Sequence, residues 1–351
     1  MVKTTELGGT ASNIVVAKVA HGLMTMTMYG NVSDEQAFES IKGGIDALPP
    51  GAKMMLNSSE FYGENWSLGN LELLARFFEK YPDYAGKTFL SVKGGLGGFG
   101  GPDRFRDAVR NAVDKCNAAL RGTKAIDLFQ PARLDPAVSV EDIVRALVEL
   151  LHEGKFEHIG LSECSAQSLR RGHAGTAVDI SYLDRGQSHG EETRKVLAAA
   201  AELDVAVAAY SYVLIFFSLA DLIRLLSPLG HGMTTGTIQT PKDLAASGFQ
   251  ELDRFKENWA YNKCLVDALV AMAKRKGCTP AQFSIAWVGA LGDKVIPLPG
   301  SSRKERTLEN LHGSDVELSE VDLSEIAGIM ATNPVRGHRY YGADVDMKLW
   351  G

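Results

Sequence analysis

Short apolar runs alternate with amphipathic stretches along this chain, and the alternation repeats about eight times. Short apolar runs bounded by polar or glycine positions are typical of buried strands, whereas apolar residues three or four positions apart indicate helices that bury one face. The predicted strands are Ile14–Val19, Lys53–Leu56, Thr88–Val92, Ile126–Phe129, His158–Leu161, Ala177–Ser181, Val205–Ala209 and Lys294–Leu298. The predicted helices are Asp34–Leu48, Ser67–Lys80, Arg104–Leu120, Ser139–Glu153, Ala166–His173, Glu191–Leu203, Trp259–Lys276 and Arg303–Leu311, with a further helix at Glu320–Met330.

The order of these elements predicts the fold class. Alternating β and α units with short connections imply parallel strands joined by right-handed crossovers. Eight units in roughly 300 residues fit a closed barrel better than the alternative, an open doubly wound sheet. No linker or composition break divides the chain, so we predict one α/β domain over residues 1–351, a (β/α)8 TIM barrel with an additional C-terminal helix. Ser139, Asp34 and Asp103 are the predicted N-caps of three helices.

Composition and charge limit the classes of function. The chain is 45% hydrophobic and 23% charged, with a mean hydropathy of −0.07, as in an ordinary globular protein. A net charge of −6 gives no reason to expect a nucleic-acid or membrane-surface partner. The four cysteines lack disulfide-framework and metal-ligand spacings, so we expect reduced thiols and no metal. The N-terminal residues lack the features of a signal peptide, which favours a cytoplasmic location.

Chemistry in such a barrel belongs at the C-terminal ends of the strands. Asn57 and Tyr62 follow the second predicted strand, and Lys93 emerges from the third. A buried lysine is costly unless something uses its charge. An ammonium beside a phenol stabilises the phenolate, so the pair can donate a proton to a carbonyl oxygen as hydride arrives at carbon. The alternative is that Lys93 reaches solvent at the barrel mouth while Tyr62 packs a loop.

A glycine-rich segment after the third strand has a different interpretation. Residues 95–100, GLGGFG, match the GxGxxG pattern of dinucleotide-binding loops. However, Pro102 and Asp103 delay the helix, and no acidic residue closes the next strand, where ribose recognition would need one. We therefore predict a flexible lid over the barrel mouth.

Several motifs in order resemble the aldo-keto reductase family. The stretch Asn57–Gly63, with Val92-Lys93 about thirty residues later, resembles the signature in which Asp, Tyr and Lys occupy these places. The segments 126–133, 153–163, 281–288 and 296–306 resemble further family motifs, and the resemblance extends from about Gly22 to Met330. The form Asn-x-x-Glu-Phe-Tyr-Gly is similar to that of the fungal pyridoxal reductases. The resemblance implies reduction of an aldehyde with NADPH, pyridoxal to pyridoxine by preference, with Tyr62, Lys93 and Asn57 as catalytic residues.

Two residues depart from the family pattern. Asn57 stands where an aspartate is usual; it can accept a hydrogen bond from Lys93 but brings no negative charge. Ala132 stands where a histidine is usual, and losing such a donor to the substrate carbonyl typically costs about 10²–10³ in rate. Pyridoxal carries a phenol beside its aldehyde, and we hypothesise that this phenol partly replaces the donor. The alternatives are a broad-specificity aldo-keto reductase and a non-catalytic NADPH-binding regulatory protein.

The segment after the eighth strand predicts a phosphate site. Gly300, Ser301 and Ser302 precede a helix, so backbone N–H groups and the helix dipole face an incoming phosphate. Arg303 and Arg306 add guanidinium groups suited to the 2′-phosphate of NADPH. The resemblance implies that Glu309 and Asn310 reach the adenine end, Ser162 holds the nicotinamide amide and Tyr210 stacks on its ring. The complete set of predicted cofactor contacts is Ser162, Tyr210, Ser211, Leu229, Gly300, Ser301, Ser302, Arg303, Arg306, Glu309 and Asn310.

One apolar segment does not fit the family pattern. Residues 212–227 interrupt a stretch in which Ser211 would otherwise join Pro228, in the loop after the seventh strand. They are too short for a membrane span. We interpret them as a translated in-frame intron; the alternatives are an extra helix on the barrel rim and a membrane-touching element. Trp66 and residues 338–341 are candidate walls of the pocket for a small-molecule aldehyde, with surface packing as the alternative.

Overall fold

Eight parallel strands follow one another around a central sheet in the computed structural model, which describes residues 2–28, 32–96, 100–175, 180–184, 190–210, 256–334 and 336. Two short strands precede the barrel, β1 (Thr4–Glu6) and β2 (Val15–Ala17). The barrel strands are β3 (His21–Gly22), β4 (Met54–Ser59), β5 (Thr88–Gly94), β6 (Leu128–Pro131), β7 (His158–Ser162), β8 (Ile180–Asp184), β9 (Ala206–Tyr210) and β10 (Val295–Pro297).

The first and last barrel strands meet, which closes the sheet. The Gly22 N–H donates to the Pro299 carbonyl at 2.7 Å, and the Ala20 N–H donates to the Pro297 carbonyl at 2.8 Å. A parallel bridge between Gly22 and Gly300 lies at the same seam. These bonds confirm the predicted closed barrel and exclude the open sheet.

Helices surround the strands and match the sequence prediction closely. They are α1 (Asp34–Asp46), α2 (Gly69–Lys80), α3 (Pro102–Leu120), α4 (Val140–His152), α5 (Ala166–Gly175), α6 (Gly190–Glu202), α7 (Trp259–Lys276), α8 (Pro280–Gly289), α9 (Lys304–Leu311) and α10 (Glu320–Thr332). The additional C-terminal helix, α10, packs against α7 and pairs Asp322 with Lys276 at 2.7 Å.

Helix α8 was not among the predicted helices. Seven of its ten residues are buried, so it shows no amphipathic stripe of the kind that a periodicity argument needs. The signal that could have identified it is its first turn. Thr279 and Gln282 form a reciprocal capping box, with Pro280 at the first helical position.

The structure corrects two predicted helix caps. Ser33, one residue before Asp34, is the N-cap of α1, and its side chain accepts from the Gln36 N–H. Asp103 lies inside the first turn of α3, because Pro102 already occupies the first helical position. Ser139 is the N-cap of α4 as predicted and accepts from the Asp142 N–H.

The prediction for the first strand was wrong. Residues Ile14–Val19 do not supply the first barrel strand, because β2 within them pairs antiparallel with β1. The turn between β1 and β2 instead inserts Leu7 and Ala11 into the floor of the barrel, where both are fully buried. A strand and a barrel-floor hairpin present the same apolar alternation, and the polar strand β1 gave no signal of its own.

The alternation of side chains along each strand determines what faces the barrel interior. In β5, Phe89 belongs to the interior cluster, whereas Leu90 and Val92 pack outward against the helices. Ser91 and Lys93 therefore face inward above Phe89. The same reasoning in β4 places Asn57 inward above Met55. Asn57 and Lys93, predicted to follow their strands, are thus inward-facing positions near the ends of β4 and β5.

Several predictions fall on residues outside the described ranges. These are the central part of the glycine-rich lid at 97–99, part of the predicted sixth strand at 177–179, the cofactor contacts Ser211 and Leu229, the segment 212–227 and the tail at 338–341. In the ranges that the structure does describe, every helix is too short or too polar to cross a membrane.

Candidate active site at the barrel mouth

Lys93 and Tyr62 lie together at the mouth of the barrel. The Lys93 Nζ atom is 5.4 Å from the centre of the Tyr62 ring and 4.5 Å from the centre of the Tyr210 ring. Lys93 is 4% exposed and Tyr62 is 8% exposed. Aromatic faces attract a cation without neutralising it. The lysine charge is therefore held in a buried position beside the phenol, as the proposed proton transfer requires.

A buried asparagine braces the loop that carries Tyr62. Asn70, in the first turn of α2, donates to the Leu23 carbonyl at 2.9 Å and to the Thr27 hydroxyl at 2.8 Å. Thr27 donates in turn to the backbone carbonyl of Tyr62. Ser58 donates to the Asn70 side-chain oxygen at 2.6 Å. Sequence reasoning missed Asn70, although a lone amide on the apolar face of α2 was a signal for such a role.

The predicted hydrogen bond between Asn57 and Lys93 is not formed among the described residues. The Asn57 amide nitrogen instead points across to the neighbouring strand, 3.5 Å from the Ser91 carbonyl and 3.4 Å from the Ser91 hydroxyl. The sheet register explains this choice, because Asn57 and Ser91 are direct partners in the pairing of β4 with β5. Asn57 thus lies in the polar layer beneath Lys93.

A charged pair occupies the mouth next to Ala132. Arg133 Nη2 lies 3.0 Å from Glu163 Oε1, and the side chains are 28% and 3% exposed, respectively. The Tyr210 hydroxyl donates to the same carboxylate oxygen. Glu163 has a φ of 53°, a left-handed conformation that a glutamate rarely adopts. Glu163 is therefore a buried carboxylate in strained backbone that is ion-paired with Arg133.

Two carboxylates hold the glycine-rich segment. Glu60 accepts from the Gly95 N–H at 2.9 Å. Asp135 accepts from the Gly100 and Gly101 N–H groups at 2.8 and 3.1 Å. Burial raises the pKa of Asp135, but its backbone N–H donors outweigh burial and leave that pKa below its usual value. The N–H groups before α3 thus serve Asp135, which argues further against a dinucleotide-binding fingerprint.

Side chains from the barrel fix the orientation of the predicted phosphate loop. The His21 Nε2–H donates to the Ser301 carbonyl at 2.9 Å, and Gln36 Nε2 donates to the Ser302 carbonyl at 2.9 Å. Burial lowers the pKa of His21 to about 4, against a smaller effect of the Ser301 carbonyl. The neutral ring therefore carries its proton on Nε2. Arg303 and Arg306, at the start of α9, are exposed.

Two predicted cofactor residues contain buried polar atoms that no described residue satisfies. The Ser162 hydroxyl, at the end of β7, and the Asn310 side-chain oxygen, at the end of α9, are both buried without a hydrogen-bond partner among those residues. A buried polar atom left unsatisfied costs about 1–3 kcal/mol. The atoms fit a dinucleotide that extends from the barrel mouth to α9, since the amide and adenine ends would supply their partners. Glu309, the residue before Asn310 and also a predicted cofactor contact, is half-buried.

Residues 18–215 and 221–331 of this chain match the aldo/keto reductase family. The interruption lies inside the anomalous segment 212–227. Among curated proteins, a probable pyridoxal reductase 2 of Schizosaccharomyces pombe is 32% identical over 341 residues, which is 93% of this chain and 95% of the relative. An aldo-keto reductase of Gibberella moniliformis is 30% identical, covering 77% of this chain and 79% of the relative.

Solved structures with the same fold are more distant in sequence. A glycerol dehydrogenase from Gluconobacter oxydans superposes with a TM-score of 0.71 at 20% identity, covering 97% of this chain and 99% of that one. An aldo-keto reductase from Klebsiella pneumoniae, solved in complex with NADPH, gives a TM-score of 0.62 at 19% identity over 97% of this chain and 98% of that one. At this identity the similarity supports the barrel fold.

Proposed function

The chain belongs to the aldo/keto reductase family, and from that premise we propose that it uses NADPH to reduce an aldehyde to an alcohol, with pyridoxal as the preferred substrate. The observation that carries this proposal is the buried contact of Lys93 with the Tyr62 ring at 5.4 Å. The similarity to a probable pyridoxal reductase supports the choice of substrate.

Tyr62 donates the proton in the proposed reaction. NADPH, when bound, supplies a hydride to the carbonyl carbon. The Tyr62 hydroxyl gives its proton to the carbonyl oxygen, and Lys93 stabilises the phenolate that remains. General acid catalysis of this kind contributes typically about 10²–10⁴ in rate. Asn70 and Thr27 act as positioning residues, because they hold the loop on which Tyr62 approaches the carbonyl.

The residues proposed to hold NADPH lie at both ends of its path. Ser162 offers its buried hydroxyl to the nicotinamide amide, and Asn310 offers its side-chain oxygen at the adenine end. The loop at Ser301 and Ser302 presents backbone N–H groups to a phosphate, while Arg303 and Arg306 add positive charge. His21 and Gln36 donate hydrogen bonds to the Ser301 and Ser302 carbonyls, so these oxygens have partners within the protein.

Ala132 leaves the carbonyl without the histidine donor that the family usually provides, and we infer that the substrate compensates. Pyridoxal carries a phenol next to its aldehyde, and that phenol can donate to the carbonyl oxygen. The test compares turnover of pyridoxal with that of its 3-deoxy analogue. We expect the analogue to react more slowly at saturation; equal rates would remove this part of the proposal.

The Tyr62→Phe and Lys93→Met variants test the proposed chemistry. Each should lower kcat by about 10² or more, because proton donation or phenolate stabilisation is lost. NADPH binding, followed by quenching of tryptophan fluorescence, should change little. Tyr84→Phe is the matched control, because Tyr84 donates to Asp46 on the barrel exterior and should retain full activity. Full activity in Tyr62→Phe would exclude this mechanism.

Two alternatives share the same fold and cofactor. A broad-specificity reductase would turn over unrelated aldehydes or ketones as well as pyridoxal. A cofactor-binding regulatory protein, which the absence of a histidine at Ala132 favours, would bind NADPH tightly and turn over every carbonyl slowly. A panel of carbonyl substrates, read together with NADPH affinity, separates the three.

A further inference from the structure

An exposed tryptophan stands in strained backbone beside the proposed proton donor. Trp66 is 49% exposed, although large aromatic side chains are usually mostly buried. Its φ is 64°, and that of the preceding Asn65 is 54°, so two successive residues adopt the left-handed conformation. A bulky residue is rarely found there, and such strain concentrates at functional sites.

The aromatic rings form a continuous path from this tryptophan to Tyr62. The Phe61 ring lies 5.4 Å from the Tyr62 ring in an edge-to-face contact. The same Phe61 ring lies 6.0 Å from the Trp66 ring. The tryptophan is therefore the outermost ring of three that begin at the proposed proton donor.

The exposed apolar side chains concentrate at this part of the mouth. Among the described residues, the exposed large hydrophobic side chains are Trp66, Leu96 and Val321. Trp66 follows β4, the strand before Tyr62, and Leu96 follows β5, the strand that contains Lys93. Val321 lies in the first turn of α10, outside the barrel. Two of the three thus flank the proposed catalytic pair.

Resting on the proposed function, we infer that Trp66 is the specificity-determining wall of the substrate site and selects aldehydes attached to a flat aromatic ring. A planar ring stacks on an indole face more favourably than a puckered saturated ring of similar size. The strained loop holds the indole in place before the substrate arrives, so less conformational freedom is lost on binding. In this inference Trp66 takes no part in the chemical step, in which the cofactor supplies the hydride and Tyr62 the proton.

Benzaldehyde and cyclohexanecarboxaldehyde test this inference, because they differ in ring planarity while sharing the reacting group. In Trp66→Ala we expect the KM for benzaldehyde to rise about threefold to tenfold, as loss of an aromatic pair predicts. The KM for cyclohexanecarboxaldehyde should stay within about twofold, and kcat should change little for either. Trp66→Phe should keep most of the preference, and Val321→Ala should leave both substrates unaffected.

Each outcome separates this inference from the proposed function. If the wild-type protein reduces neither aldehyde nor pyridoxal, the proposed function fails. If it reduces them but Trp66→Ala shifts both KM values equally, or neither, the wall does not exist. Trp66→Gly guards against a folding artefact, because glycine tolerates a positive φ better than alanine; it should be at least as stable to heat as Trp66→Ala and show the same loss of preference.

Discussion

Replacing Arg133 by methionine should destabilise the protein strongly, because it removes one partner of a buried ion pair at the barrel mouth. The pair that it breaks has its charges 3.0 Å apart, with the Glu163 side chain 3% exposed. Two unit charges at that distance attract each other by about 5.5 kcal/mol at an effective dielectric constant of about 20. Removing one partner of a buried pair typically costs about 3–5 kcal/mol, because the other charge is left buried.

The structure places the expected cost at the lower end of that range. The Arg133 side chain is 28% exposed, so solvent already screens part of the attraction. The Tyr210 hydroxyl also donates to the Glu163 carboxylate and would stabilise it after the arginine is gone. We therefore expect Arg133→Met to lower the free energy of unfolding by about 3 kcal/mol. The double variant Arg133→Met with Glu163→Gln removes both charges and should lose about 1 kcal/mol or less.

Urea unfolding of the wild type, Arg133→Met, Glu163→Gln and the double variant forms a double-mutant cycle that measures the coupling between the two residues. A further variant separates charge from backbone strain at Glu163. Glu163→Asn and Glu163→Gln remove the same charge, but asparagine tolerates the left-handed conformation better, so Glu163→Asn should be the more stable of the two. If Arg133→Met costs less than about 1 kcal/mol, or if the single effects simply add in the double variant, the two residues are not a coupled buried pair.

Three other predictions concern the cofactor end of the barrel. The pKa of His21 is about 4 in the folded protein and about 6.5 in the unfolded chain. Because the unfolded chain takes up this proton first, the free energy of unfolding should be unaffected by His21 above pH 6.5 and should fall by about 3 kcal/mol as the pH drops to 4. Urea unfolding across this range should show the fall, and His21→Asn should flatten it. Arg303→Met and Arg306→Met should each weaken NADPH binding about tenfold or more while leaving NADH binding nearly unchanged, as equilibrium titration would show. If residues 212–227 are a translated intron, complementary DNA from the source will lack their codons, and protein without them should bind NADPH more tightly; a message that contains them would refute the interpretation.

The fold could be predicted because its signals are local and repeated. Helix α7 was predicted at its observed bounds, since its apolar stripe and its closing glycine at 277 are both visible in the sequence. The error at Ile14–Val19 has a physical cause. Apolar alternation reports that one face of an extended segment is buried, but it does not report which neighbour pairs with it. Strand β2 and a barrel strand therefore present the same sequence pattern.

The candidate site was only partly predictable, for a reason that its residues make clear. Lys93 and Tyr62 could be paired because both follow predicted strands and because their spacing resembles a family signature. The role of Arg133 could not be predicted, since it depends on which distant side chain it meets. The lone amide of Asn70 on the apolar face of α2 indicated a buried polar role, but the sequence does not identify its partners. The left-handed backbone at Glu163 was equally hidden, because nothing in the residue type suggests a conformation that glutamate rarely adopts.

The surroundings of Lys93 connect the fold to the proposed chemistry. Lys93 is the second-last residue of β5 and faces the barrel interior, above Phe89 in the interior cluster. The ammonium lies 5.4 Å from the centre of the Tyr62 ring and 4.5 Å from that of the Tyr210 ring, and aromatic rings attract a cation. Asn57, turned toward Ser91, adds no negative charge to this layer. In the proposed reaction, this buried positive charge lies beside the Tyr62 ring, where it would stabilise the phenolate left after proton transfer.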